Sequence, residues 1–479
     1  MDVLSPLDAA FLRLESHDAP MHIASAAVFD GPAPSYEEFL QLVRTKLPLL
    51  PRYRQRVQEV PLWLGRPVWV DDTGFNATYH VRHTAIPHPG TTEQLRTLCA
   101  RVLSQPLDRG RPLWEAWLVE GLEGDRWALL SKVHHCMVDG IAGTDLLSRL
   151  LDPRPDPAPP APDDWQPTPG PGLLRLLSGA LPGVPRPGSV LRGLTEAARH
   201  PNRTRRELTE DARGLRTWAG VLWPASRSSL TGPITSHRGW GWASASLDDV
   251  RQVRHAFGGT VNDVVLTLVT SAFRDLLLVR GEEPGRHTVR SLVPVSVRPR
   301  HADDGPMLAN RVSAMVAELP VHLADPVERL TAVRAELDRL KRSGEAQFGE
   351  ALTEAATWAP PVLLSAGLFG GFRLPQRQLV TVTTNVPGPT VTLWGLGRRL
   401  REMHPFVPIA DRVRTGVAVT SYEGLLSFGV TVDADSTPDL DVLTGGIGAA
   451  LARLLALGNA SQESKLADTA GRGLQGSRP

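Results

Sequence analysis

Between residues 152 and 172 the chain carries nine prolines, at 153, 155, 157, 159, 160, 162, 167, 169 and 171. Proline locks φ and lacks a backbone N–H, so a run this dense is extended connection and not helix interior or central strand. It divides the 479 residues into two blocks, and a chain of this length exceeds one ordinary domain. The boundaries read from the sequence are a first block over 1–151, a connection over 152–232, a second block over 233–460, and a Gly- and Ser-containing tail over 461–479 expected to be disordered. With 42% hydrophobic and 22% charged residues, both blocks can bury a core. The connection changes character at 173–206, which holds seven arginines, one glutamate and several leucines. A solvated surface helix or linker is the favoured reading; a basic amphipathic contact with anionic lipid is the alternative.

Both blocks mix strands and helices. Residues 127–133 form a compact apolar run suited to a strand, and 140–151 then read as a helix with Ile141, Leu146, Leu147 and Leu150 on one face. In the second block, apolar residues at 261, 264, 265, 268, 269, 272, 276 and 279 repeat with a helical period. Residues 378–384 alternate as a strand before Pro387-Gly388-Pro389 stops it. Residues 416–420 and 425–432 predict a hairpin turning near Glu423-Gly424, and 437–457 a closing helix. The expected fold class is α+β, twice, with no internal repeat at a short fixed period.

Several function classes are disfavoured. Fifty-two Lys and Arg against 51 Asp and Glu give a net charge of +1, and so no global electrostatic pull toward nucleic acid. Two cysteines, Cys99 and Cys136, with no C-x-x-C pair exclude a disulfide framework and suit a reducing, cytoplasmic setting. The start lacks the basic and apolar stretches of a signal peptide. One uncharged stretch, 355–372, reaches the length of a minimal span of about 18 residues. It contains Pro360, Pro361, Gly367, Gly370 and Gly371, which interrupt a helix, so a buried or interfacial segment is expected.

The most informative stretch is His134-His135-Cys136-Met137-Val138-Asp139-Gly140, at an expected strand-to-helix turn. Transfer of an acyl group to an alcohol needs a base for the hydroxyl proton, and neutral imidazole, with a reference pKa of about 6.5, suits the task. Asp139, four positions on, is a candidate for holding that imidazole, and Gly140 frees the backbone to turn. Spacing alone leaves other readings open. Two histidines and an aspartate could ligate a metal, although adjacent histidines on a strand point apart and no H-E-x-x-H accompanies them. A structural His pair is the commonest alternative, and Cys136 reads as a nucleophile or, preferably, as a small buried filler.

H-H-x-x-x-D-G resembles the signature of the coenzyme A-dependent acyltransferase superfamily, which includes chloramphenicol acetyltransferase and peptide-synthetase condensation domains. Further motifs narrow the resemblance to the bacterial wax ester synthase/diacylglycerol acyltransferase family. They are the opening Leu4-Ser5-Pro6-Leu7-Asp8-Ala9-Ala10-Phe11 with Pro20-Met21-His22, then Pro112-Leu113-Trp114, and Asn262-Asp263-Val264-Val265-Leu266. Val293-Pro294-Val295-Ser296-Val297-Arg298 and Thr384-Asn385-Val386-Pro387-Gly388-Pro389 complete the set, the last with Thr in place of the family Ser. Six motifs in order from residue 4 to residue 389 cover both blocks. One departure stands out: the family's G-N-R element reads Ala309-Asn310-Arg311 here, which bears on local tunnel shape and substrate preference.

The resemblance implies two chloramphenicol acetyltransferase-like domains with an active-site tunnel between them. It implies His135 as the base, His134 as a support, and Asp139 as a structural anchor through a buried ion pair. Asn262, Asp263, Asn310 and Asn385 become candidates for lining the tunnel or binding substrate, with helix capping the alternative for the first two. Pro112, Leu113 and Trp114 read as packing residues. The implied reaction joins a fatty acyl-CoA to diacylglycerol, or to a long-chain alcohol, with acyl-CoA as substrate and no cofactor or metal. The expected setting is cytoplasmic, in peripheral contact with the inner membrane face or lipid inclusions. The rival readings are a condensation or polyketide-associated acyltransferase with carrier-bound donors, and a non-catalytic lipid-droplet protein.

Overall fold

A computed structural model describes residues 2–61, 65–137, 150–156, 163–172, 174–176, 228–296, 312–342, 379–410 and 412–475. The first block opens with β1 (Asp2–Val3), α1 (Pro6–Leu14), β2 (His22–Asp30) and α2 (Tyr36–Lys46), followed by β3 (Gln55–Gln58) and β4 (Val68–Asp71). It continues through α3 (Ala77–His80), β5 (Val81–Ala85), α4 (Thr92–Leu103), β6 (Trp114–Leu122) and β7 (Arg126–His134). The second holds β8 (Arg238–Ser246), α5 (Leu247–Phe257), α6 (Val261–Val279), β9 (Val289–Ser296), β10 (Val312–Leu319) and α7 (Pro326–Arg342). After them come β11 (Thr381–Val386), β12 (Trp394–Gly395), β13 (Arg398–Phe406), β14 (Thr415–Tyr422), β15 (Leu425–Asp433) and α8 (Leu440–Gln475). Two six-stranded sheets result, ordered β12-β13-β2-β7-β6-β5 and β10-β9-β11-β14-β15-β8, with a small sheet β1-β4-β3 beside the first.

Local chemistry explains the elements that matter most. Helix α1 starts where the Ser5 side chain accepts from the Asp8 N–H and Pro6 occupies the first turn. Helix α6 starts with a reciprocal cap between Thr260 and Asp263 and is buried on nearly every face. Its interior hydroxyls avoid the cost of burial by donating to the preceding turn, Thr267 to Asp263 O (2.7 Å), Thr270 to Leu266 O (2.6 Å) and Ser271 to Thr267 O (2.8 Å). At the β14–β15 hairpin both Glu423 and Gly424 have positive φ (44° and 82°), the twist-compatible geometry for a two-residue turn.

Three sequence expectations need amendment. Strands β12 and β13, from within the expected second block at 233–460, pair into the first sheet: β13 runs antiparallel to β2, with Met403 opposite Ala27 and Phe406 opposite Ala24. Nothing in the alternation of 398–406 says which sheet it will join, because that choice is made by a distant partner. The closing helix begins at Leu440 and continues to Gln475, so most of the tail expected to be disordered from 461 is helical. The strand expected at 378–384 lies at Thr381–Val386, reaching two residues further toward the prolines. Residues 140–149 of the helix expected at 140–151, most of the arginine-rich stretch at 173–206 and the uncharged stretch at 355–372 lie outside the described residues. By length and composition, Leu440–Ser461 of α8 could cross a membrane. One face of it, with Leu443, Ile447, Ala450 and Leu454, is buried in the second core.

The two blocks share a core. Trp240 and Trp242 of β8 join Ala26, Val28 and Leu130 of the first sheet together with Phe406. Trp240 Nε1 donates to Pro405 O (3.2 Å), His404 stacks on Trp242 with 3.9 Å between ring centroids, and His404 Nδ1 lies 2.8 Å from Ser427 Oγ. The backbones come close at Gly429 of β15, where a Cβ would sit 1.7 Å from Pro405 O.

Lys132 ties β7 to the end of α4. Its buried ammonium donates to Val102 O (3.0 Å) and Gln105 O (2.5 Å), with Glu115 at 3.8 Å. Burial lowers its pKa to about 8, against the opposing pull of Glu115 and Glu15. The unfolded chain therefore holds this proton more tightly than the native one. The cost of burying the charge is fully present below about pH 8 and fades as pH rises toward the free-lysine value of about 10.4. Unfolding free energy of wild type relative to Lys132→Met should accordingly rise by roughly 3 kcal/mol across that window. A difference that stays flat in urea melts from pH 8 to 10.5 would show an ammonium that is not desolvated.

Candidate active site

The site grows out of the end of β7. His134 is the last residue of that strand, opposite His22 of β2, and its N–H donates to Leu113 O (2.9 Å). The chain then turns through a short 3-10 segment, His135–Met137, fixed at its start by the His135 N–H donating to Met21 O (2.8 Å). The P-L-W element is packing that also supports this strand end. Leu113 and Trp114 are buried, and Trp114 Nε1 donates to Tyr53 O (2.8 Å).

The two imidazoles have different surroundings. The His135 ring is half-buried and stacks on Phe11 of α1, with 3.9 Å between centroids and 23° between planes. Burial pulls its pKa below the ordinary value of 6.5, so at neutral pH it is an uncharged imidazole able to accept a proton. His134 is fully buried, and its pKa is pushed down to about 3, first by burial and then by Arg109 and His135. Its Nδ1 accepts from the Cys136 N–H (3.1 Å), which places the ring proton on Nε2. That Nε2 faces Glu15 Oε1 across 3.6 Å. Burial pushes the Cys136 thiol up, followed by the charges of Asp8 and Glu15. Thiolate, the nucleophilic form, is therefore disfavoured there, as expected of a buried filler.

Asn262 and Asn385 are brought together: Asn385 Nδ2 donates to Asn262 Oδ1 (3.2 Å), joining the start of α6 to the end of β11. Asp263 is buried and spends one carboxylate oxygen on the Thr260 N–H (2.7 Å), capping its own helix. Gly388 of the N-V-P-G-P element is required by close approach, since a Cβ there would lie 1.8 Å from Ser421 O. Among the described residues no hydrogen bond or ring contact links the asparagine pair to His135. Asp139, Gly140 and Asn310 lie outside the described residues. Among those described, no group of three or more His, Cys, Asp or Glu side chains is placed to hold a metal.

Sequence reasoning missed Glu15 and Arg109, and quoted Phe11 and Met21 without giving them a role. Phe11, Met21 and Glu15 lie on α1 or within seven residues of its end. An acidic residue just past an amphipathic helix carries no local mark of burial, so only the fold reveals Glu15.

The uncharged His135 imidazole thus stands at a strand exit in the first of two sheet-and-helix blocks that share a core. The model of the wax ester synthase/diacylglycerol acyltransferase catalytic domain matches residues 4–265, and that of the WS/DGAT C-terminal domain matches 308–455. The chain belongs to the wax ester synthase/diacylglycerol acyltransferase family. A Mycobacterium tuberculosis protein named as a probable diacylglycerol O-acyltransferase, tgs1, is 40% identical over 460 residues, covering 95% of this chain and 96% of the relative. The structure of a wax ester synthase/diacylglycerol acyltransferase from Marinobacter aquaeolei VT8 matches with a TM-score of 0.68 at 26% identity, covering 95% of this chain and all of that one. The first condensation domain of the calcium-dependent antibiotic synthetase matches in fold, with a TM-score of 0.57 at 18% identity over 95% of this chain and 96% of that one.

Proposed function

We propose that this acyltransferase transfers a fatty acyl group from acyl-CoA to diacylglycerol, with long-chain alcohols as a second acceptor, and that His135 is the general base. The observation that carries the reading is the uncharged His135 imidazole, held at the exit of β7 by Met21 O and by the Phe11 ring. His135 takes the hydroxyl proton as the acceptor oxygen attacks the thioester carbonyl carbon. The C–S bond then breaks, and the departing thiolate recovers the proton from His135. The thiolate, whose conjugate thiol has a pKa of about 8.5 by analogy with cysteine, is a ready acceptor for it. The step balances without a cofactor, a metal or a covalent acyl-enzyme. A tunnel between the blocks would let the thioester carbonyl and the acceptor hydroxyl meet at this base.

The names of the mycobacterial relatives favour diacylglycerol over an alcohol. Purified protein given labelled palmitoyl-CoA with either dioleoylglycerol or hexadecanol should form labelled triacylglycerol, and wax ester more slowly. Formation of neither ester from acyl-CoA, with product formed instead from a carrier-bound acyl donor, would favour a condensation-type enzyme. Because the acceptor is nearly insoluble in water, the reading includes peripheral contact with a membrane or lipid inclusion from the cytoplasmic side. Flotation with neutral and anionic vesicles in the same preparation tests that part.

A further inference from the structure

Two contacts hold the backbone that presents His135, the Met21 carbonyl on the His135 N–H and the His134 ring on the Cys136 N–H, and both lead back to Glu15, a residue outside every motif that marks the family here. The Glu15 side chain is only 6% exposed although it carries a carboxylate. One oxygen, Oε2, receives Arg109 through Nε (2.9 Å) and Nη2 (2.7 Å). The other, Oε1, accepts the Met21 N–H (3.1 Å), and the Met21 carbonyl in turn accepts the His135 N–H. The same Oε1 is the acceptor that the buried His134 Nε2–H faces, at 3.6 Å, just beyond hydrogen-bond length and with no other partner. On its far side, the His134 ring accepts the Cys136 N–H. A carboxylate that fixes the orientation and tautomer of an imidazole is a recurrent support for working histidines.

We propose that Glu15, paired with Arg109, is the positioning residue of this site: it sets the ring of His134 and the Met21 carbonyl, and through them the turn that aims His135. The inference rests on the reading of His135 as base. The arginine has a definite part in it. An unopposed carboxylate beside His134 would favour the protonated form of the neighbouring imidazoles and leave the base already charged nearer neutral pH; Arg109 cancels that charge while leaving the acceptor in place. A plain staple between α1 and the 105–111 segment would need only the Arg109 contact. It would not explain why the second oxygen is shared between a backbone N–H of the His135 support and the ring of His134. The other charged or titratable groups around the pair are Asp8 of α1, His22 of β2, Lys132 of β7 and Cys136.

The test is a set of charge-changing variants in the full chain. Glu15→Gln keeps an acceptor for Met21 but leaves Arg109 unopposed, so the acid limb of kcat/KM should move to lower pH. Arg109→Gln leaves Glu15 unopposed and should move it to higher pH, each by roughly half a unit or more. The double variant should return toward wild type. Glu15→Ala should lower kcat by about 10- to 100-fold, with the KM for palmitoyl-CoA changing far less, because an aim is lost and not a binding contact. Limbs that stay put, or move the same way in both single variants, overturn the inference. So does a failure of both glutamine variants to fold, which would make the pair a fold staple. His135→Ala, run alongside, separates the two readings. Retained activity there removes the base assignment, whereas an inactive His135→Ala with unmoved limbs removes only the role given to Glu15.

Discussion

His135→Ala loses ester formation by a factor of about 10²–10⁴ while its melting curve stays close to that of wild type. Both halves of that expectation come from the site. In the proposed mechanism the imidazole takes the acceptor proton, and without a covalent acyl-enzyme its removal leaves only water or bulk buffer for that work. The ring is half-buried, and its stack on Phe11 is worth about 0.5–1.5 kcal/mol beyond area. The backbone N–H that anchors the turn to Met21 O survives the substitution. Measured activity above roughly a tenth of wild type, in a variant with native circular dichroism, would end the assignment.

Gly429→Ala is expected to be strongly damaging for a single added methyl. The new Cβ would sit 1.7 Å from Pro405 O and 2.8 Å from Pro405 C, both backbone atoms of the neighbouring sheet with no side-chain freedom to give way. Overpacking at a yielding site costs about 1–3 kcal/mol, and this site does not yield, so the cost should reach or pass the upper end. The variant should melt several degrees lower. Gly448→Ala is the control. It lies on α8, where an added methyl meets nothing within 4 Å, so removing a helical glycine should stabilise by about 0.5–1 kcal/mol. Equal melting points for the two variants would show that β13 and β15 are not in close contact.

Much of this was readable from residues alone, for reasons that differ by element. The spacing at 261–279 gave α6 to its observed ends because periodicity and a Thr-Asp cap agree there. The β14–β15 hairpin was legible because Glu423-Gly424 can adopt positive φ between two alternating runs. His135 was found through a motif, not through spacing, which left catalytic, structural and metal readings open. What stayed hidden is non-local. Residues 398–406 carry no local mark of which sheet they join, and their pairing with β2 is fixed by partners more than 370 residues earlier in the chain. The burial of Glu15 depends on Arg109, 94 positions away, and no window along the sequence contains both.

The return of β13 to the first sheet also bears on how the protein is made. When the ribosome has just finished β7, β2 has one partner and one open edge, and the strand that closes that edge ends at Phe406. At about 5–20 residues per second, the interval is on the order of tens of seconds. During that time the half that carries both histidines exists as a nascent domain with an unpaired row of N–H and C=O groups, the kind of edge that invites association with other chains. The catalytic half is thus translated first and completed last. A gene split at the proline-rich connection would release it in that unfinished state, so the two halves should be recoverable as an active enzyme only when they are synthesised together.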